Sequence, residues 1–271
     1  MALTFGDYAI TEAGFGADLG AEKFFDIKCR QTGLQPALSV LVVTARSLKV
    51  HGGISEKDMA KPDMDALERG FANLDRQVAI LKRFNQSVVV AFNRHADDTE
   101  AEIEAVRRHC KEDLGLGFAV NEAFAKGGDG AVELARTVVE TIAEKPSGPL
   151  HFAYDTEADV KTKVARLCKD IYGASEISYA GLAEKKIQKI NELGISRFPI
   201  CVAKTQYSFS SDPKAFGAPT GFELKVRDIQ INCGSQMLVV IMGEMMRMPG
   251  LPAQPQALHI DLVNGQIEGL S

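Results

Sequence analysis

The most informative stretch of the sequence is Ser87-Val88-Val89-Val90-Ala91-Phe92-Asn93. It is apolar on consecutive residues, which predicts a β-strand buried on both faces, as in a parallel sheet covered by helices. Other short apolar runs predict further strands in the first half of the chain, at residues 8–11, 39–45 and 116–120. These runs therefore indicate a sheet built around residues 87–93.

Between these runs the period of the apolar residues becomes helical. One apolar stripe repeats at 4-3-4-3 spacing and predicts a helix of nearly four turns; it consists of Leu67, Phe71, Leu74, Val78 and Leu81. Thr99 and Glu102 have the spacing of a capping box and predict the start of a second helix. A third helix is expected over residues 130–143. Alternating strands and helices indicate an α/β protein with a mostly parallel sheet and helices on both faces.

A domain boundary is expected at Lys145-Pro146-Ser147-Gly148-Pro149, because two prolines and a glycine cannot continue a helix. We therefore assign residues 1–147 to the first domain and 148–271 to a smaller α/β domain. Strands are expected there at residues 150–154, 199–204, 222–231 and 237–243, and helices at 160–171 and 180–193. From Met248-Pro249-Gly250-Leu251-Pro252 onward we expect an arm lying over the body.

The composition is that of a soluble, cytoplasmic globular protein. The 271 residues include 31 Lys+Arg and 36 Asp+Glu, a net charge of −5 that disfavours nucleic-acid binding. No apolar stretch approaches bilayer length, and the first residues have no signal-type core. The 5 cysteines are scattered without a CxxC pair, so we expect reduced thiols and no metal site.

Glycines follow the first predicted strand, in Thr11-Glu12-Ala13-Gly14-Phe15-Gly16-Ala17-Asp18-Leu19-Gly20. An acid and glycines after a strand lie where open α/β sheets bind ligands, and the glycines would let the backbone approach a phosphate. The alternative is a tight turn with small residues for packing. The spacing is one residue longer than that of the dinucleotide fingerprint and does not indicate NAD.

Two further loops follow predicted strands. His95 lies in Asn93-Arg94-His95-Ala96-Asp97-Asp98-Thr99, where either a functional or a merely solvated histidine is expected. The second loop is Glu122-Ala123-Phe124-Ala125-Lys126-Gly127-Gly128-Asp129-Gly130. Here Lys126 and free amides could hold a carboxylate or phosphate, and Phe124 could be core or a stacking surface. In a fourth segment, residues 201–210, an apolar strand is followed by side chains that can donate hydrogen bonds to a ligand. The alternative interpretation is structural: a lysine leaves the sheet edge and a tyrosine caps a core.

Taken together, these segments resemble the formate–tetrahydrofolate ligase family. The resemblance begins with Tyr8-Ala9-Ile10-Thr11-Glu12-Ala13-Gly14-Phe15-Gly16-Ala17-Asp18-Leu19-Gly20 and continues through Ala125-Lys126-Gly127-Gly128 and Ala203-Lys204-Thr205-Gln206-Tyr207-Ser208 to Met248-Pro249-Gly250-Leu251-Pro252. It covers essentially the whole chain. Family members are longer, and the resemblance is to their C-terminal half only.

The resemblance implies an ATP-dependent enzyme of one-carbon metabolism. In the family reaction, ATP phosphorylates formate to formyl phosphate, and the formyl group then passes to N10 of tetrahydrofolate. The fold implied is the C-terminal part of a P-loop-NTPase-like sheet. The sequence contains no G-x-x-x-x-G-K-[ST] and no Gly-Lys pair. We therefore expect the catalytic residues, and any ATP and Mg²⁺, to belong to an N-terminal half supplied elsewhere.

The resemblance also implies site residues and partners. The family stacks the pteridine between two aromatic residues, usually Phe and Trp, at the positions of His95 and Phe124. Lys126, Gly127 and Gly128 would complete the folate site, and Thr11, Glu12, Gly14 and Gly16 would face the nucleotide and formyl phosphate. A homo-oligomer is expected because the family forms tetramers. The chain is thus expected to be the folate-binding half of the ligase, inactive alone; the alternative is a non-catalytic folate-binding or assembly subunit.

Overall fold

Three parallel strands form the sheet around residues 87–93. The structure is a computed structural model, and it describes residues 1–243, 254–263 and 266–269. The strands are β1 (Ser39–Val43), β2 (Val88–Asn93) and β3 (Gly117–Asn121), in the order β1-β2-β3. The side chains of β2 are at most 4% exposed from Val88 to Phe92. The prediction of a central strand buried on both faces is therefore confirmed.

Helices cover both faces of this sheet. On one face, α4 (Met64–Arg83) and α5 (Glu100–Arg108) pack their apolar stripes against Val90, Phe92 and Phe118. On the other face lies α7 (Val132–Glu144), whose Thr137 and Thr141 approach Gly117 of β3. The α4 stripe and the Thr99–Glu102 capping box are confirmed. An α/β fold with a parallel sheet is thus established.

The remaining strands form small sheets after residue 148. In one, β4 (Glu176–Tyr179) pairs in parallel with β6 (Glu223–Val226). In another, β8 (Met237–Ile241) lies between β5 (Ile200–Ala203), which is parallel to it, and β7 (Asp228–Asn232), which is antiparallel. The last two strands, β9 (Asp261–Val263) and β10 (Gln266–Glu268), pair antiparallel.

The other helical elements are mostly short. The α-helices are α1 (Ala2–Phe5), α2 (Arg30–Thr32), α3 (Ala45–His51), α6 (Ala123–Lys126), α8 (Val160–Arg166) and α9 (Gly181–Glu192). π-helical turns occupy Ala17–Ala21, Phe24–Cys29, His109–Asp113 and Leu167–Tyr172. Single 3₁₀ turns occupy Glu56–Asp58, Gly127–Ala131 and Gln256–Leu258.

The larger hydrophobic core contains side chains from both sides of residue 148. Phe25, Phe84 and Val88 belong to the same cluster as Leu167 and Ile200. The two regions are therefore packed together, and the division into domains at residues 147 and 148 stays a prediction.

Two predicted strands are not strands in the structure. Residues 8–11 are irregular and Ile10 is 96% exposed, so an apolar run that predicts a strand finds no pairing strand among the described residues. Residues 150–154 are irregular, with Leu150, Ala153 and Tyr154 buried and His151 and Phe152 exposed, and side chains accept hydrogen bonds from their backbone. The Leu150 N–H donates to Gln35 Oε1 at 3.0 Å and the Ala153 N–H to Asp26 Oδ1 at 2.9 Å.

Three smaller differences concern the second half of the chain. The single strand predicted over residues 222–231 is two strands, β6 and β7, separated at Arg227. Strand β4 was not predicted, because its four residues, Glu176–Tyr179, contain no run of consecutive apolar residues. The expected arm at 248–252 lies outside the described residues.

Candidate functional site

The two loops singled out in the first half begin side by side, at the ends of β2 and β3. Asn93 and Asn121 are paired in register, and Asn121 Nδ2 donates a hydrogen bond of 2.8 Å to Asn93 Oδ1. One residue further on, the Arg94 N–H donates to the Asn121 carbonyl at 3.1 Å. His95 and Phe124 follow within three residues of this pair. The parallel register therefore brings their turns together at the carboxyl edge of the sheet, where α/β proteins bind ligands.

The turn after β2 is organised by Asp98. Its Oδ2 accepts a 2.7 Å hydrogen bond from the His95 N–H, which closes the turn. The His95 side chain is 38% exposed, whereas that of Asp98 is fully buried. Burial raises the pKa of Asp98, although the hydrogen bond from His95 opposes this. The imidazole thus lies at the surface above a buried carboxyl group.

The turn after β3 presents an aromatic ring to solvent. Phe124 is 93% exposed on the single turn α6. The loop closes behind it, since the Glu122 N–H donates to the Gly130 carbonyl at 3.0 Å. A Cβ on Gly130 would lie 2.5 Å from the Glu122 carbonyl, so only glycine allows this approach. Phe124 is thus not core, and its faces are open to a planar ligand.

Charged side chains connect the two turns. Arg94 pairs with Glu100 at 2.6 Å and its Nη1 lies 3.7 Å from Glu122 Oε1. Lys126 Nζ lies 2.6 Å from Glu122 Oε2, and this hydrogen bond lowers the pKa of Glu122. The ammonium of Lys126 is therefore already paired, and an anionic ligand would compete with Glu122 for it. Gly127, at φ +60°, and Gly128 have open space beside their Cα atoms.

The glycine segment near the start of the chain lies elsewhere. Thr11 and Glu12 are exposed, and Gly14 has open space around it. Gly16 is packed, since a Cβ there would lie 2.8 Å from Gln77 Nε2 on α4. Among the described residues, the hydrogen bonds of residues 11–18 to other parts of the chain reach Gln77 and Lys204, and none reaches the turns after β2 and β3. These hydrogen bonds therefore do not connect the glycine segment to the turns after β2 and β3.

An ion pair that sequence reasoning missed joins the glycine segment to the end of β5. Lys204 is fully buried, and its Nζ donates to Asp18 Oδ2 at 2.7 Å and to the Ser208 carbonyl at 2.6 Å. Burial lowers the pKa of Lys204, and the charge of Asp18 opposes this. Lys204 directly follows β5, an edge strand, as the alternative interpretation expected. Tyr207 is 56% exposed, so the tyrosine does not cap a core.

A second buried ion pair lies behind the turn of His95, at the start of α5. Lys49 Nζ lies 2.8 Å from Glu102 Oε1, and both side chains are at most 1% exposed. Burial would raise the pKa of Glu102, but hydrogen bonds from Lys49 and Thr99 outweigh it and the pKa is lowered. Glu102 therefore combines a helix cap with a buried charge, and it fixes the start of α5 behind the site.

The fold defines an α/β protein with a parallel sheet, and the exposed groups at the strand ends form a candidate ligand site at its carboxyl edge. The comparison with known families makes this specific. The family described as formate–tetrahydrofolate ligase matches residues 1–271, and the chain belongs to that family.

Similar proteins carry the same description. This chain is 61% identical over 271 residues to a formate–tetrahydrofolate ligase of Phocaeicola vulgatus and 60% identical to one of Parabacteroides distasonis. It is 57% identical to one of Bacteroides fragilis. Each match covers 100% of this chain and 49% of the relative, so the chain spans about half the length of the curated relatives it matches. The expected C-terminal placement stays a prediction.

None of the helices in residues 1–243 and the two later described segments is long and apolar enough to cross a membrane. Within the same residues, no group of three or more His, Cys, Asp and Glu side chains is placed to hold a metal ion.

Proposed function

We propose that this chain forms the tetrahydrofolate-binding part of a formate–tetrahydrofolate ligase, which formylates N10 of tetrahydrofolate through formyl phosphate. One observation carries the proposal: the turns of His95 and Phe124 begin at paired positions of β2 and β3. The pteridine is a planar ring system, and a planar ligand gains about 1–3 kcal/mol from each aromatic surface on which it stacks. His95 and Phe124 are the stacking residues of the proposed site.

The groups beside Phe124 supply the polar part of the proposed site. The open space beside Gly127 and Gly128 would admit a carboxylate of the folate, and the ammonium of Lys126 would bind it once it turns from Glu122. The Gly127 N–H is already bonded to the Ala123 carbonyl. Thr11, Glu12, Gly14 and Gly16 are proposed to face ATP and formyl phosphate. Catalytic residues are not assigned in this chain, which contains no P-loop sequence.

We further propose that the remaining region of the ligase, on a separate chain or the same one, covers the free edge of the sheet. Parallel sheets are normally covered on both faces. Val40 and Val42 of β1 are 42% and 58% exposed, and among the described residues β1 pairs only with β2. The first residues of the chain also carry exposed apolar side chains: Phe5 is 84% exposed and Ile10 is 96% exposed. A second copy of this chain is the competing occupant, and gel filtration alone and with the remaining region distinguishes the two.

Calorimetric titration with tetrahydrofolate tests the folate site. We expect binding that Phe124→Ala weakens about 5- to 100-fold, the loss of one stacking surface. His95→Ala should weaken it by a similar or smaller factor. Leu193→Ala and His151→Ala are the matched controls, because both side chains are exposed and lie outside the two turns. No binding by the folded chain, with or without the remaining region of the ligase, would refute the proposal.

Activity separates the enzyme from the alternative of a non-catalytic folate-binding or assembly subunit. The chain is mixed with a separately produced polypeptide covering the half of the Phocaeicola vulgatus relative that it does not match. ATP-dependent formation of 10-formyltetrahydrofolate in the mixture, and its loss on Phe124→Ala, is expected for the enzyme. Folate binding without turnover in that mixture would favour the non-catalytic subunit.

A further inference from the structure

The imidazole of His95 faces a buried carboxylate that has no cation bound to it. His95 Nδ1 lies 3.9 Å from Asp98 Oδ2, within ion-pair distance and about 1 Å beyond a hydrogen bond. Both Nδ1 and Asp98 Oδ1 are buried and have no hydrogen-bond partner among the described residues. Buried polar atoms without partners are rare in proteins, and each such atom calls for an explanation.

The neighbouring charges are already paired with other groups. Asp97, next in the chain, binds Arg46 of α3. Glu102 of α5 binds Lys49 and the two donors of Thr99. Arg94 is held by Glu100 and Glu122, on the turn after β3. The His95 ring is therefore the group best placed to satisfy the Asp98 carboxylate.

We propose that Asp98 is the positioning residue of the folate site: it accepts a hydrogen bond from His95 Nδ1–H and so sets the tautomer and orientation of the ring on which the pteridine stacks. This inference rests on the proposed function and goes beyond it, because it assigns a role to a residue that contacts no ligand. With Nδ1–H directed at Asp98, the ring face and Nε2 are left for the ligand.

The consequence is a folate affinity that depends on the Asp98 carboxyl group. The neighbouring carboxylates of Asp97, Glu102 and Glu100 are each paired with a cation, namely Arg46, Lys49 and Arg94. Asp98 is therefore the acceptor left for the ring N–H. Without that acceptor the ring is free to turn, and it presents less of its face to the pteridine, so affinity should fall.

Titrations of tetrahydrofolate, under anaerobic conditions, into matched variants test this. Asp98→Asn keeps an oxygen that accepts the His95 N–H and so preserves the turn, but it removes the charge. His95→Phe keeps an aromatic face without a ring nitrogen that Asp98 could hold. We expect Asp98→Asn to weaken binding about 3- to 10-fold in the wild type and to change it little when His95→Phe is already present.

The outcomes separate this inference from the proposed function. If Asp98→Asn leaves the affinity of the wild type unchanged, Asp98 has no such role, while the folate site stands. If Asp98→Asn weakens binding equally in the wild type and in His95→Phe, its role is purely structural and the inference is overturned. If neither wild type nor His95→Phe binds, the proposed function fails and this inference with it.

Nuclear magnetic resonance of ¹⁵N-histidine-labelled protein gives a reading that needs no ligand. At about pH 8 we expect the Nδ1–H tautomer of His95 in the wild type, since the donor points to Asp98. In Asp98→Asn the amide can donate to Nδ1, so the Nε2–H tautomer should increase. An Nε2–H tautomer in the wild type would contradict the proposal.

Discussion

Replacing Asp18 with Asn should cost this protein a large part of its stability. The Lys204 ammonium is fully buried, and Asp18 is its charged partner at 2.7 Å. Removing one member of a buried ion pair typically costs about 3–5 kcal/mol, because the other charge remains buried without compensation. Asn keeps an oxygen that can accept from Lys204, and the Ser208 carbonyl also remains. We therefore expect a loss of about 3 kcal/mol, at the lower end of that range.

The loss should depend on pH with a definite sign. Burial lowers the pKa of Lys204 and Asp18 counteracts this, so the substitution lowers that pKa further. The unfolded chain then binds more protons than the folded one between the lowered pKa of Lys204 in the folded chain and about pH 10, the ordinary lysine range. Stability of the variant must therefore rise with pH relative to wild type. The deficit at about pH 9.5 should be smaller than at about pH 7.

Urea unfolding followed by circular dichroism measures both effects. The matched control is Asp58→Asn, which breaks a pair of the same 2.7 Å separation whose side chains are 75% and 51% exposed. Exposed pairs contribute about 0–1 kcal/mol, so this control should change little. Adding Lys204→Met to Asp18→Asn should recover most of the loss. The reasoning is refuted if Asp18→Asn costs no more than the control, or if its deficit grows as pH rises.

Three further predictions concern other sites. Glu102→Gln should lower the free energy of unfolding by about 2–4 kcal/mol, because it keeps the cap but leaves Lys49 without its counter-charge; less than 1 kcal/mol in urea unfolding would contradict this. Burial raises the pKa of Glu22 to about 8, so the stability of the folded chain falls as pH rises towards that value. Glu22→Gln should therefore raise the melting temperature more at about pH 8 than at about pH 5.5. An equal effect at both pH values would speak against this. Phe124→Ala should leave the melting temperature unchanged, since the side chain is 93% exposed; a clear drop would mean that the ring is packed.

The exposed position of Phe124 also explains why glycines surround it. A loop that returns to the sheet within a few residues brings its own backbone into close contact, as Gly130 does with Glu122. The same loop then holds the ring away from the core. Glycines that only form a turn and glycines that belong to a ligand-binding loop are therefore compatible interpretations of this segment. The glycines allow the tight turn, and the turn leaves Phe124 exposed.

Local signals in the sequence were sufficient for the central sheet and its helices. Five consecutive apolar residues, all buried in the structure, identified β2. The 4-3-4-3 spacing of apolar residues identified α4. The Thr99–Glu102 capping box marked the start of α5. These features depend on neighbours within one element, so a single sequence contains them. Because parallel strands place their ends at one edge, the turns of His95 and Phe124 were also found from the sequence.

Only the tertiary structure decided which of the remaining apolar and charged residues have partners. The sequence predicts a strand at residues 8–11 and at residues 150–154. In the structure the first segment is exposed, whereas Leu150 and Ala153 of the second are buried with their N–H groups bound to Gln35 and Asp26. Asp18 and Lys204 are 186 residues apart, and no periodicity connects them. Strand pairing and buried ion pairs depend on which distant groups meet when the chain folds, and local spacing carries no information about that.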